Sequence, residues 1–169
     1  FVKFIQSKHT ELRVPGYLPD LLHYEWLELE VETAVDAKNG TISSRRISLN
    51  PSVRYARYHW PVHQIRKTYK PRKQLPTVLL VHRDSLDNVK FLEINEITAQ
   101  LLDILAAGAK TGNEAIKHLS KRLGYASPEP LLIHGQTLLP DLLKQEILQG
   151  NLSRVSWFNF QNKAFECLT

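Results

Sequence analysis

His59 and His63 stand four residues apart, a spacing at which two imidazoles on one helical face can share a metal ion. Pro61 lies between them and no third ligand stands out, so an aromatic surface turn is the plainer reading. His23 and Glu25 are two apart in a helical stretch and do not face each other. Cys167, the only cysteine, sits near the chain end in a strand-like run, where a packed thiol is commoner than a nucleophile. The seven histidines have no placed partner for general acid–base work. There is no phosphate-binding glycine loop, no dinucleotide glycine pattern and no cysteine pair for zinc or redox chemistry. The expectation is a protein that is not an enzyme, with no catalytic residue, no cofactor and no metal.

Charge offers a different chemistry. Residues 41–74 carry nine basic side chains and no acidic one: Arg45, Arg46, Arg54, Arg57, Arg66, Lys67, Lys70, Arg72 and Lys73. Tyr55, Tyr58, Trp60 and Tyr69 are interleaved with them. Such a run repels itself unless it meets an anionic partner or an acidic face of its own chain. Residues 1–40 are acidic on balance, and residues 75–169 are nearly neutral. A solvated acidic helix face is the plain reading of the first segment; pairing with the basic run is the sharper one.

The elements that must position these residues can be read along the chain. Pro19 to about Ala37 predicts a helix, with Leu18, Leu22, Trp26, Leu29 and Thr33 on the inward stripe and Glu25, Glu28 and Glu32 on another face. Asn39-Gly40 is its expected stop. Residues 45–60 read as extended, and Val62, Ile65 and Tyr69 are spaced as a short helix. Lys70-Pro-Arg-Lys73 with Pro76 is linker-like, which places a domain boundary near residue 75. Residues 1–75 are then a helix plus a basic extended region, and 76–169 a winged-helix-like domain.

In that second domain, Thr77–Arg83 and Val89–Ile94 read as a β-hairpin around a turn at 84–88. Asn95 caps a helix to Ala107, and Thr111 with Glu114 forms a capping box for a second helix ending at Gly124. Ser127-Pro128 opens a third helical region. Gly135 and Pro140 predict a break there, with a helix from about Leu138 to Gln149. Val155–Phe160 and Ala164–Leu168 form a candidate terminal hairpin, the wing. The fold class is α+β.

Two binding functions fit this order. The DNA reading uses the basic run and a helix–turn–helix with Leu138–Gln149 as recognition helix. That helix offers only Lys144, Gln145 and Gln149 as readers, while Asp141 and Glu146 oppose DNA. The peptide reading uses the Val89–Ile94 edge for strand addition, backed by Leu138–Gln149. Its candidate residues are Val89, Phe91, Glu93, Leu142 and Lys144. A hairpin whose edge is covered is the plain alternative.

No apolar run nears the roughly 20 residues that span a bilayer. With one cysteine and no signal-peptide pattern, the expectation is a cytoplasmic protein without a membrane. The chain opens at Phe1 and contains no Met, which implies the C-terminal part of a longer protein or methionines lost from the written sequence.

Residues 77–152 resemble PqqD-type leader-recognition elements of ribosomal peptide modification. The matching stretches are Val89-Lys-Phe-Leu-Glu-Ile-Asn95, Asn113-Glu-Ala-Ile-Lys-His-Leu-Ser-Lys-Arg-Leu-Gly124 and Leu142-Leu-Lys-Gln-Glu-Ile-Leu-Gln-Gly-Asn-Leu152. More of the chain resembles the C-terminal region of the bacterial HvfC/BufC-type proteins. Tyr17-Leu-Pro-Asp-Leu-Leu-His-Tyr-Glu-Trp-Leu-Glu-Leu29, Leu49-Asn-Pro-Ser-Val-Arg54 and Trp60-Pro-Val-His-Gln-Ile65 carry that likeness. The methanobactin partner family MbnC is similar.

The HvfC/BufC family has an N-terminal helical domain labelled DNA-binding, and the resemblance makes Phe1–Thr10 its last residues. It was first read as transcriptional and is now described as a peptide-modification chaperone beside a multinuclear iron oxidative enzyme. The resemblance therefore implies a companion iron enzyme and a precursor peptide as partners, with DNA as the alternative. The iron would belong to the companion. In that picture the basic segment docks on the enzyme and the strand edge holds the peptide.

Overall fold

The structure is a computed structural model and describes residues 14–34, 47–108 and 111–150, with Phe4, Ser7, Lys8 and Glu11 ahead of them. It is an α+β protein. The first helix, α1, spans Leu18–Glu32 with Pro19 in its first turn. It ends earlier than expected because Thr33 turns back on it. The Thr33 N–H and hydroxyl donate to the Leu29 carbonyl at 3.0 and 2.8 Å, satisfying a terminal acceptor. Asn39-Gly40 lies outside the described residues.

The helix also presents a different face from the expected one. Leu27 and Val31 are buried and Leu21 and Tyr24 are half-buried, whereas Trp26 is 55% and Leu29 47% exposed. Apolar residues lie all round this helix, so periodicity alone did not select between two overlapping stripes.

Three antiparallel strands form the main sheet in the order β2 (Arg54–Tyr58), β3 (Thr77–Arg83), β4 (Val89–Ile94). Tyr55 pairs with Leu80, and Leu80 with Leu92. The central strand is buried on both faces, as its run of β-branched and aliphatic residues requires. Leu79 and Val81 lie under α1, against Tyr58 and Val62 and against Leu27 and Val31 respectively.

Between β2 and β3 the chain makes a 3-10 turn at Val62–Gln64 and then a tight turn, in which Arg66 and Tyr69 exchange backbone bonds. The short helix expected there is confined to that 3-10 turn, and Tyr69 lies beyond it in the tight turn. Leu75 N donates to the His59 carbonyl at 2.9 Å, so the linker-like stretch is tied along the sheet end. A boundary near residue 75 would cut the β2–β3 ladder. The compact units instead join α1 to residues 50–102, and residues 47–49 to 103–150.

Helix α2, Glu96–Ala106, begins in the first unit and ends in the second. Its cap is Asn95, whose side-chain oxygen accepts from Thr98 N at 2.8 Å. The second unit adds α3 (Gly112–Arg122) and α4 (Glu129–Lys144), with β1 (Ser48–Leu49) paired to β5 (Leu148–Gln149). Thr111 caps α3 as its motif predicts, accepting from Glu114 N at 3.2 Å. Gly124, at φ 75°, ends α3 in the left-handed region.

One expectation fails in α4. It runs unbroken through Gly135 and Pro140 and stops at Lys144, so no separate helix spans 138–149. An internal proline costs about 3 kcal/mol. Burial of Leu131, Leu139 and Leu142 offsets that cost at roughly 1.5–3 kcal/mol per side chain. The expected wing at 155–168, with Cys167, lies outside the described residues.

Candidate functional site

The β3–β4 hairpin is set by Asp84. Its carboxylate accepts from the backbone N–H groups of Leu86 and Asn88, both at 2.9 Å, and from the Asn88 amide. The Asn88 backbone bond leads the contributions that hold this carboxyl down at about 2, against a smaller opposing effect of burial. Asp87 takes the left-handed conformation the turn needs, at φ 63°.

Asp84 N donates to the Asn88 carbonyl at 3.0 Å, and this fixes the phase of the ladder. In an antiparallel pair the bonded partners alternate. Lys90, Leu92 and Ile94 therefore face their backbone bonds toward β3, and those of Val89, Phe91 and Glu93 point away from it. Among the described residues, no strand pairs with that outer edge.

The side chains of the same three residues share the face that α1 covers, because Phe91 stands opposite Val81 and Glu93 opposite Leu79. Phe91 is 42% exposed and meets the Tyr24 ring at 5.7 Å. Val89 packs on the Leu27–Val31–Val81 cluster, and Glu93 lies 3.3 Å from His63 Nε2. Val89, Phe91 and Glu93 are thus brought together as expected, but the helix backing the sheet is α1. Leu142 is 4% exposed within the core of the second unit, so its side chain is not a groove wall. Lys144 is exposed at the end of α4.

Tyr24 is the site residue that the sequence reading missed. Burial pushes its hydroxyl up to about 12, with Glu28 and Glu25 adding to the shift. Burial likewise raises Tyr58, helped by Asp20 and Tyr24, and the Tyr58 hydroxyl lies 2.9 Å from His23 Nδ1. The spacing Tyr24–Leu27–Val31 carried the signal, hidden by the competing Leu22–Trp26–Leu29 stripe.

The nine basic residues divide. Arg54 Nε donates to Glu30 at 2.7 Å, and Arg57 grips Glu96 through both Nε and Nη2 at 3.0–3.1 Å. The acidic helix thus does pair with the basic segment, through Glu30 rather than the Glu25–Glu28–Glu32 face. Asp20 adds a second clamp by accepting from His59 N and Trp60 N at 2.8 and 3.1 Å. Arg66, Lys67, Lys70, Arg72 and Lys73 are exposed in the loop before β3. Arg45 and Arg46 lie outside the described residues.

The histidine pair does not converge. His59 Nδ1 is 3.9 Å from Asp20, while His63 turns to Glu93. Among the described residues, no group of three His, Cys, Asp or Glu side chains is gathered for a metal ion. For the DNA reading, only Lys144 of the three expected readers is helical; Gln145 is the cap and Gln149 is in β5. Among the described residues, no helix is long and apolar enough to cross a membrane.

No curated relative matches the chain. A sequence model described as the HvfC C-terminal domain matches residues 50–143, from just before β2 almost to the end of α4. That span is more than half of the chain, and the chain belongs to the HvfC family.

Proposed function

We propose that this protein is a non-catalytic partner that holds a ribosomal precursor peptide along β4 and presents it to a multinuclear iron oxidative enzyme. The outward edge of β4 carries this reading: backbone groups of Val89, Phe91 and Glu93 turned from β3, beside the exposed Phe91 ring and the half-buried Tyr24 that it meets. Six residues of strand offer about 20 Å of edge, enough for a short extended segment. Main-chain bonds would supply affinity, and alternate side chains of the added strand would meet the α1 face. Family membership supports an accessory role, and the companion enzyme would supply the iron chemistry.

Phe91→Pro, read against Phe91→Ala, tests strand addition, because both variants lose the ring that meets Tyr24 and only proline also loses the N–H. The proline change removes an outward N–H while leaving the β3 ladder intact, a change that edge strands tolerate. Calorimetric titration with a synthetic leader segment of a candidate precursor peptide should show at least a tenfold weaker affinity for the proline variant than for Phe91→Ala, about 1.4 kcal/mol. The melting curve of the proline variant should stay near that of Phe91→Ala. Salt-steep binding of duplex DNA with no affinity for the leader would reject the reading in favour of a transcriptional regulator.

A further inference from the structure

The loop between β2 and β3 forms a second binding feature, separate from the β4 edge. Arg66 N donates to the Tyr69 carbonyl at 3.0 Å and Tyr69 N to that of Arg66 at 3.1 Å, leaving Lys67 at the turn tip. Pro71 is buried, and the Leu75–His59 backbone bond secures the far end. These anchors arrange Lys67, Lys70, Arg72 and Lys73 around an open cavity of about 1020 Å³, whose walls include Tyr17 and Tyr69. Tyr17 is itself braced edge-on against Trp60 at 6.2 Å.

No acidic residue lines this cavity. Among the described residues, its four cations form no ion pair, unlike Arg54 and Arg57 on the neighbouring strand. Four like charges fixed around one space repel each other, and an anionic occupant relieves that repulsion. The anchored turn lowers the ordering cost that a flexible basic tail would incur on binding.

We infer that this cavity is a docking site for an acidic, extended protein segment. In the accessory reading above, on which the identity of the partner rests, that segment belongs to the companion protein. A duplex suits the surface less well. Double-stranded DNA presents phosphates over a broad face, and α1 in the same unit carries Asp20, Glu25, Glu28, Glu30 and Glu32 with no Lys or Arg. A single acidic strand needs only the cavity and its rim.

The test is fluorescence anisotropy with a labelled hexaglutamate peptide and, in parallel, a labelled 20-base-pair duplex. The parent protein should bind hexaglutamate in a salt-dependent way. Lys70→Ser with Arg72→Ser should weaken it about tenfold, because two exposed ion pairs with the peptide are lost. Lys117→Ser with Lys121→Ser on α3 should leave it unchanged, as should Phe91→Pro, which separates this site from the peptide edge. Lys70→Arg should retain binding. Absence of hexaglutamate binding by the parent, equal loss in the α3 pair, or tighter duplex binding lost in the same loop variant would each overturn the assignment. Circular dichroism melts of all variants exclude unfolding as the cause.

Discussion

At the scale of single residues, Asp84 links the hairpin to pH. Its carboxyl stands at about 2 in the fold, below its ordinary 3.8, chiefly because the Asn88 backbone N–H donates to it. A depressed carboxylate contributes stability above its unfolded value and loses it as pH falls through the folded one. The parent should therefore lose stability relative to Asp84→Asn between pH 4 and pH 2, since the amide oxygen keeps an acceptor but cannot titrate. Urea midpoints of the two proteins across that window measure the difference. A constant offset over the whole window would show that the charge contributes nothing. Arg57 belongs to the same scale: its fork on Glu96 is a half-exposed ion pair, of the kind worth at most about 1 kcal/mol. The sequence made it a docking candidate because charge is visible there and an ion partner 39 residues away is not.

Among the elements, the α3–α4 contact is set by Gly112. A Cβ built there would stand 2.4 Å from Leu139 Cδ1 and 3.3 Å from Ile47 Cδ1. Leu139 is fully buried, so it has little room to yield. Gly112→Ala should cost about 1–3 kcal/mol by overpacking, read as a lower urea midpoint. Adding Leu139→Val should cost less than the sum of the two single changes, because the smaller side chain admits the methyl group. Additive losses would place the strain elsewhere. The same helices show what was legible in the sequence. The Thr111 cap and the Gly124 stop depend on local chemistry and were read from it. The course of α4 through Pro140 was not, because burial of Leu139 and Leu142 is tertiary and outweighs a local breaker. The β3–β4 hairpin was legible from its strand-forming residues and the turn at 84–88, whereas α1 as its backing helix required the fold itself.

Over the whole molecule, β3 decides which part of the chain can stand alone. The sequence divides at a proline-rich, basic stretch near residue 75, and composition gives no hint that strands on either side pair. Yet β3 leans on residues from before that stretch: Leu79 on Tyr58 and Val62, Val81 on Leu27 and Val31. Removing residues 1–75 would expose those faces of Leu79 and Val81 and delete all of β2. It would also take away β1, the partner of β5, and with it the buried Ile47. Re-exposing a buried aliphatic side chain costs roughly 1.5–3 kcal/mol, and whole domains hold only about 5–15 kcal/mol of net stability. The fragment 76–169 should therefore show no cooperative thermal transition, while the full chain shows one. Hydrogen exchange sharpens the test, because Leu79 and Val81 direct their amides toward β2 and Leu80 directs its amide toward β4. In the full chain all three should be protected. In the fragment Leu79 and Val81 should exchange at coil rates, and surviving protection at Leu80 alone would mean that the hairpin persists without its neighbours. Equal protection of all three in the fragment would show that the C-terminal part folds by itself, and the boundary near residue 75 would then be real.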